Sequence, residues 1–409
     1  MNQYRFDRHG VELEYMIVNK SSLEVAPLAD RLLKLPEGGY GDRQHEEITW
    51  SNELCLHLIE LKTTQPIEKL ESSLDAFNKH ITIINQKLDL LGCCLLPGGM
   101  HPWMNPASQT QLWPHGSREI YHTFNRIFGC HGHGWSNLQS THLNLPFGDE
   151  ASFLQLHRAI RVLLPILPAL AASSPFVEGT PSRFMDERIK QYQSNCALIP
   201  TITGRVVPES IRSIRDYERH ILNRIARQLK HHDPSGVLEP EWTNARGAIA
   251  RFSRQSIEIR VMDNQECPQA DLAILQVMGL VLSNLIDRES GFREPVKHPS
   301  TRILQSILGH CVKDGTQAHI THKPYLEALG LEQPTPMKAG ELWRALIEQV
   351  GWEHLSWVDT IELILNQGCL AERLKKVAGD HPDLRQLRQL RQVYQQLAHS
   401  LASGKPFVA

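Results

Sequence analysis

Five glutamates embedded in apolar, strand-like sequence are the residues of this chain best placed to do chemistry. Glu12 and Glu14 lie two apart within residues 10–18 (Gly-Val-Glu-Leu-Glu-Tyr-Met-Ile-Val), so an extended strand projects both from one face. Neighbouring carboxylates repel, and burying either one unpaired is costly. A divalent cation that favours hard oxygen ligands, magnesium or manganese, removes that penalty. The competing reading is a strand with a solvated polar face, as antiparallel sheets often have. Residues 53–61 carry Glu53 and Glu60, with Leu54, Leu56 and Leu58 on one face. Seven residues apart, the two glutamates leave a straight strand on opposite sides, so a shared site requires a bend or bulge between them.

Two further segments add to the pattern. In residues 138–145, Ser140, His142 and Asn144 share one face while Leu143 and Leu145 share the other. A strand histidine in that position is either a hydrogen-bonded core residue or a ligand. In residues 256–263, Glu258 and Arg260 share a face opposite Ile257, Ile259 and Val261. A carboxylate beside a guanidinium suits a metal–phosphate site, since Arg grips phosphate or carboxylate oxygens bidentately; a structural ion pair fits equally. Together the four segments describe polar-faced strands that would suit several divalent ions and a polyphosphate.

The elements needed to hold those strands are legible in the periodicity. Leu70, Leu74, Phe77, Ile81, Ile84 and Leu88 recur at helical spacing within residues 67–91, and Gly92 follows as a C-terminal cap. Residues 93–96 predict a buried strand ending at Pro97-Gly98-Gly99. Residues 151–172 predict a largely buried helix, 208–231 a basic amphipathic helix with Pro208 in its first turn, and 249–262 one long or two short strands. Beyond residue 265 the pattern is helical, near 270–288, 300–312, 339–349, 355–366 and 382–402. Within the last of these, leucine every third residue with arginine between reads as one packed stripe and a solvated basic face. The expected class is α+β: a single domain over 1–409, with a sheet-bearing core over 1–265 and a helical part over 266–409 packed on it.

Composition excludes several functions. Lys and Arg total 43 against 45 Asp and Glu, a net charge of −2, which gives no electrostatic case for a nucleic-acid partner. The longest apolar stretch, residues 162–172, has 11 residues including Pro165 and Pro168, short of the roughly 20 that a bilayer span needs, so no membrane partner is expected. Residues 1–9 have no apolar signal core, and the expected location is cytoplasmic. Eight cysteines without a Cys-x-x-Cys pair read as buried small hydrophobes, while Cys130, His131 and His133 form the one local set that could hold a transition metal. There is no Gly-x-x-x-x-Gly-Lys-Ser/Thr loop, no Gly-x-Gly-x-x-Gly turn and no Gly-x-Ser-x-Gly elbow. Any nucleotide must therefore be handled by another route, such as metal ions.

These segments, in this order, resemble the glutamate–cysteine ligase type 2 family, carboxylate–amine ligases with a glutamine-synthetase-like fold. Gly10-Val11-Glu12-Leu13-Glu14 is similar to the family's opening Gly-x-Glu-x-Glu, and Glu53 to Glu60 has the spacing of its second glutamate pair, which implies the bend. Gly99-Met100-His101-Pro102 looks like its Gly-x-His-Pro turn, His142-Leu143-Asn144-Leu145 its histidine strand, and Ser173-Ser174-Pro175-Phe176 its Ser-Pro-Phe/Tyr helix end. Glu258-x-Arg260-x-x-Asp263 matches its Glu-x-Arg-x-x-Asp strand, and Gly368-Cys369-Leu370-Ala371-Glu372-Arg373 its C-terminal helical signature.

The resemblance implies metal ligands at Glu12, Glu14, Glu53, Glu60, His142 and Glu258, with Glu14, Glu258 and Arg260 taking catalytic roles. It implies Arg260 on the transferring phosphate, Arg188 on a substrate carboxylate, and Asn144, His101 and Arg251 as further substrate or nucleotide contacts. Implied with these are magnesium or manganese, ATP as co-substrate, glutamate or a similar carboxylate, an amine acceptor, and a possible homodimer. The chain departs from the family pattern at Ser253-Arg254-Gln255-Ser256, where Gly-Thr is usual, at Asn144 in place of a second histidine, at Pro181-Ser182-Arg183 in place of Asp-Thr-Gly, and in the 130–134 insertion. A metal-dependent amidase on the same scaffold and a non-catalytic ligand-binding relative are the alternatives.

Overall fold

In the computed structural model, residues 6–291, 299–379 and 384–409 are described. Its centre is an antiparallel sheet. The strands are β1 (Gly10–Asn19), β2 (Arg43–Gln44), β3 (Ile48–Asn52), β4 (Leu58–Thr63), β5 (Cys93–Leu96), β6 (Ser140–Pro146), β9 (Ala248–Arg251) and β10 (Ser256–Asp263); the short hairpin of β7 (Phe176–Val177) and β8 (Thr180–Pro181) stands apart. The order is β2-β3-β4-β1-β6-β10-β9. β1 has β4 along one edge and divides its other edge, residues 10–13 pairing with β6 and residues 16–19 with β5. The expected α+β class with an antiparallel sheet holds.

Alternation decides the two faces of this sheet. Val11, Leu13, Tyr15 and Ile17 of β1 are buried in one large apolar cluster, together with Ile59 and Leu61 of β4, Leu143 and Leu145 of β6, and Ile257, Ile259 and Val261 of β10. Residues from the helices Leu74–Asp89, Glu150–Leu163 and Pro268–Gly291 belong to the same cluster. Each fully buried Leu or Ile side chain there contributes about 1.5–3 kcal/mol. With this face committed to the helices, the intervening side chains of the strands must emerge on the other side.

The structure corrects several expectations. Residues 53–61 are not one strand: β3 ends at Asn52, β4 begins at Leu58, and the chain turns between them. The helix expected over 151–172 breaks into Glu150–Leu163, a 3₁₀ turn Leu164–Ile166 and a short helix Pro168–Ala171, because Pro165 and Pro168 cannot donate to the helical ladder. Pro208 does not open the basic helix; Ser213 caps it, its hydroxyl accepting from the Asp216 amide at 3.0 Å, and a π-type turn over Glu218–Leu222 precedes Asn223–His232. Of the two readings of residues 249–262, the two-strand one holds, the chain reversing at Gln255 with φ +49°.

The expected C-terminal helices are found as Pro268–Gly291, Thr301–Asp314, Ala339–Val350, Val358–Gln367 and Leu384–Ser403, residues 382–383 lying outside the described set. Helix Leu370–Ala378 begins within the expected C-terminal helical signature, while helix Lys323–Ala328 and the hairpin of β11 (His319–Ile320) with β12 (Met337–Lys338) were not anticipated. Nor was the character of residues 268–288, which are long and apolar enough to cross a bilayer by composition; 89% of that window is buried inside the protein, as befits a central core helix. The expectation of no leader rests partly on residues 1–5, which are outside the described set.

Candidate active site

The antiparallel register brings the polar side chains together on the face away from the large cluster. Glu14 of β1 stands opposite Glu60 of β4, Glu12 opposite His142 of β6, and Asn144 opposite Glu258 of β10. The hairpin of β3 and β4 answers the parity problem: Glu53 follows the end of β3 while Glu60 lies in β4, and their carboxylates converge. Two groups could each hold a metal ion, Glu12 with Glu60 and His142, and Glu14 with Glu53 and Glu60; within each, one ligand atom per residue lies within 4.8 Å of the others. Hard oxygen donors with a single imidazole suit magnesium or manganese.

Hydrogen bonds fix these side chains. His142 Nδ1 is 3.0 Å from Glu12 Oε2, and Asn144 Nδ2 donates to Glu12 Oε1 at 3.0 Å. Ser140 donates to Glu14 Oε2 from its amide at 2.7 Å and from its hydroxyl at 2.8 Å, and Ser140 Oγ is 2.8 Å from His142 Nε2. Glu258 is clamped by two guanidinium groups, Arg251 Nε at 2.9 Å and Arg260 Nε at 3.1 Å.

Too many acids in one place distort their ionisation. Burial is the largest influence on Glu60, followed by Glu12; with Lys62 opposing, its carboxyl is pushed up to about 8. Burial and then Glu14 and Glu60 hold Glu53 well above the usual carboxylate range. Burial also disfavours ionised Glu12, but the hydrogen bond and charge of His142, with Lys62, outweigh it and depress Glu12. Glu258 is depressed because Arg260 and Arg251 overcome its burial. Burial opposes protonation of His142, yet Glu12 and Glu14 raise it. The metal-free site thus relieves its repulsion with protons that a cation would displace.

Beside the carboxylates lies a cavity of about 250 Å³ bordered by Glu14, Glu53, Ser140, His142, Arg188 and Arg260. Arg188 is buried, its Nε engaged by Asp263. Asp263 also accepts from the Ser173 amide at 2.8 Å and the Ser174 hydroxyl at 2.7 Å. Gly99 closes over it: a Cβ at residue 99 would sit 2.3 Å from Asp263 Cγ. Burial, then Asp263, raises the neighbouring Asp186 well above the usual range. A larger open groove of about 1000 Å³ near residues 6–9 and 68–71 lacks any such set; its Glu71 accepts from Ser356 at 2.6 Å and from Gln276.

Two sequence expectations fall elsewhere. His101 is buried within the turn after β5, its Nε2 2.7 Å from the Leu23 carbonyl and its Nδ1 accepting from the Trp103 amide at 3.3 Å. Both ring nitrogens are spent on backbone, and His101 is not among the residues bordering the cavity. Cys130, His131 and His133 do not form a metal cluster: the two carboxylate groups are the only candidates among the described residues, while His131 pairs with Asn125 and His133 with Asn137. All eight cysteines are free and seven are buried.

Sequence reasoning overlooked Lys62, although its position two residues after Glu60 on a strand signalled the shared face; its Nζ is 3.2 Å from Glu60 and 3.4 Å from Asp42. Asp263 stood within a motif but was assigned no role of its own. The cavity walls Trp135 and Tyr192 come from short helices and carry no periodic signal, whereas Tyr121 and Phe124 lie in the helix Arg118–Phe128, whose helical spacing of Ile120, Tyr121, Phe124, Ile127 and Phe128 was overlooked.

The scaffold is thus α+β, an antiparallel sheet turning a carboxylate-rich face toward a guanidinium-bearing cavity. The chain belongs to glutamate-cysteine ligase family 2, whose sequence profile matches residues 8–389. An uncharacterized protein of Archaeoglobus fulgidus is 32% identical over 366 residues, covering 89% of this chain and 91% of that one. A putative glutamate–cysteine ligase 2 of Bordetella petrii is 30% identical over 192 residues, 45% of this chain and 42% of its own length, so the chain matches under half of that protein. Among solved structures, the fold is shared with the glutamate–cysteine ligase of Francisella tularensis in complex with AMP (TM-score 0.58, 13% identity, 96% of this chain and 89% of that one). It is shared too with a bifunctional glutathione synthetase of Pasteurella multocida (TM-score 0.66, 14% identity, 97% and 53%).

Proposed function

We propose that this protein is an ATP-dependent carboxylate–amine ligase that activates a carboxylate, such as the γ-carboxylate of glutamate, as an acyl phosphate and joins it to an amine. The observation that carries the reading is the convergence of two acidic ligand groups sharing Glu60 with Arg260 beside them. Glu12, Glu60 and His142 would hold one divalent ion, and Glu14, Glu53 and Glu60 a second. When bound, magnesium or manganese offsets phosphate charge and aligns the transferring group.

The chain's own residues supply the rest. Arg260 lies on the cavity wall and is oriented by Glu258, a position from which its remaining N–H groups stabilise charge on a transferring phosphoryl group. Arg188, fixed at Nε by Asp263 and donating from Nη2 to the Arg260 carbonyl at 3.4 Å, would meet a substrate carboxylate chiefly through Nη1. Ser140 holds Glu14 by two hydrogen bonds, and Asn144 with His142 holds Glu12, so the acids do not depend on substrate for their placement. Water must be kept from the acyl phosphate during the coupling step, since it would otherwise hydrolyse.

Incubating the purified protein with ATP, magnesium, glutamate and a panel of amines tests the assignment: ADP release in step with a new amide is the expected result. Hydrolysis of γ-glutamyl amides without ATP would identify a metal-dependent amidase instead, and neither reaction would identify a binding protein.

A further inference from the structure

We infer that the acceptor is a primary amine carrying an apolar or aromatic group and no carboxylate, rather than an α-amino acid such as cysteine. The inference rests on the ligase reading above and deepens it.

A count of charges in the cavity supports it. Among the residues bordering the cavity, Arg188 and Arg260 are the only ones with a permanent cationic side chain, and no lysine is present. In the ligase reading, Arg260, paired with Glu258, serves the phosphoryl group, and Arg188, paired with Asp263, serves the donor's carboxylate. An acceptor carboxylate would find no third guanidinium and would instead face Glu14 and Glu53 on the same wall. Burying an anion without a partner costs several kcal/mol, whereas those two carboxylates favour the arrival of an ammonium group. His142 offers no substitute, since Glu12 and Ser140 occupy its two nitrogens.

Apart from Asn195, Thr243 and Asn244, most of the remaining wall is apolar. Leu54, Tyr121, Phe124, Trp135, Leu138 and Tyr192 border the same space. Trp135 is fixed by packing on Phe124 and Phe128, with ring centroids 5.5 Å apart in both cases, and by its indole N–H donating to the Asn195 carbonyl at 3.1 Å. Asn52 fixes Tyr121 through a 2.9 Å hydrogen bond to its hydroxyl. A preformed apolar wall with few polar groups selects a ligand's hydrocarbon portion by size. In the coupling step the amine nitrogen forms the new bond to the acyl carbon and the carbon–oxygen bond to the phosphoryl group breaks. Phosphate departs with that electron pair, and the nitrogen loses a proton.

Matched pairs isolate the carboxylate: phenethylamine against phenylalanine and isoamylamine against leucine, with cysteine and ethylamine alongside, each with ATP, magnesium and glutamate. The expected result is kcat/KM for phenethylamine and isoamylamine at least about tenfold above their amino-acid counterparts, ethylamine and cysteine. Leu54→Arg, which adds the missing cation, is expected to narrow the gap between phenethylamine and phenylalanine. Turnover of cysteine, phenylalanine or leucine at rates equal to or above the amines overturns the inference and leaves the ligase reading standing. Absence of ADP release with every acceptor overturns the ligase reading; quenching of tryptophan fluorescence then decides the pocket's preference, and binding of phenylalanine as tightly as phenethylamine overturns the inference too.

Discussion

Glu14 and Glu60 face each other as cross-strand partners on β1 and β4, two acids at the position where a sheet ordinarily places an attractive pair. Like charges directly opposite destabilise a sheet. Lys62, 3.2 Å from Glu60, relieves only part of the cost, and Glu60 is pushed up to about 8, mainly by burial and then by Glu12. A divalent cation between the two acids would offset the repulsion that Lys62 leaves.

Removing Glu14's charge or Arg260's guanidinium is expected to cripple ligation while leaving the fold. Glu14→Gln keeps the two Ser140 hydrogen bonds at one oxygen, and Arg260→Ala leaves Glu258 paired with Arg251. Losses of about 10²–10³ in kcat are expected. Parallel circular dichroism melts check that the fold survives; turnover near the unsubstituted rate in either variant refutes their assigned roles.

Metal affinity should tighten with pH. Because Glu60 holds its proton up to about 8 in the metal-free protein, a cation must displace that proton at neutral pH. Manganese titrations followed by electron paramagnetic resonance are expected to show affinity rising from pH 6.5 to 8.5 and flattening above. In the metal-free protein the sign reverses. A raised acid pKa contributes stability below the unfolded value of 4.5, and that contribution fades as pH climbs through about 8. Glu60→Gln should flatten both profiles, and an unchanged slope in that variant would rule out Glu60 as their origin.

Gly99→Ala is expected to lower stability by about 1–3 kcal/mol, because the new Cβ would meet Asp263 Cγ at 2.3 Å. It should also weaken donor binding, since Asp263 fixes Arg188. Asp263→Ala removes the clashing atoms, so the two substitutions should be strongly non-additive by denaturant melts. Simple addition of their effects would argue against this contact.

Acid should unfold the protein in part through His157. Burial is the largest cause and Arg161 and Arg158 the next for a pKa lowered to about 3, and neither ring nitrogen has a hydrogen-bond partner. A depressed histidine contributes stability above 6.5 that is lost as pH falls toward 3, roughly 3–5 kcal/mol for a shift of this size. Replacing His157 with Leu is expected to move the acid-unfolding midpoint to lower pH, followed by far-ultraviolet circular dichroism. A midpoint that does not move would exclude His157 as a trigger.

Much of the sheet was legible because period-2 alternation in residues 10–18, 140–145 and 256–261 states which face is buried. That carried Glu12, Glu14, His142, Glu258 and Arg260 to one side without any knowledge of neighbours. What residues 53–61 concealed is long-range: a local reading sees one strand, whereas pairing between β3 and β4 forces a turn. Helix boundaries at residues 151–172 and 208–231 were lost where proline and capping geometry overrode apolar periodicity. His101 misled because a motif gives residue order, not whether a ring nitrogen is already spent on a backbone carbonyl. The cavity itself was invisible, since Tyr121 and Phe124 of the helix Arg118–Phe128 meet Trp135 and Tyr192 only in three dimensions.

The turn between β3 and β4 also has an evolutionary corollary. Because successive side chains of a strand point to opposite sides, a one-residue insertion or deletion that shifts β4 in its register would swing Glu60 into the oily interior and bring Ile59 or Leu61 out in its place. Drift in this stretch should therefore be free in letter and constrained in length, with viable gaps arising in pairs.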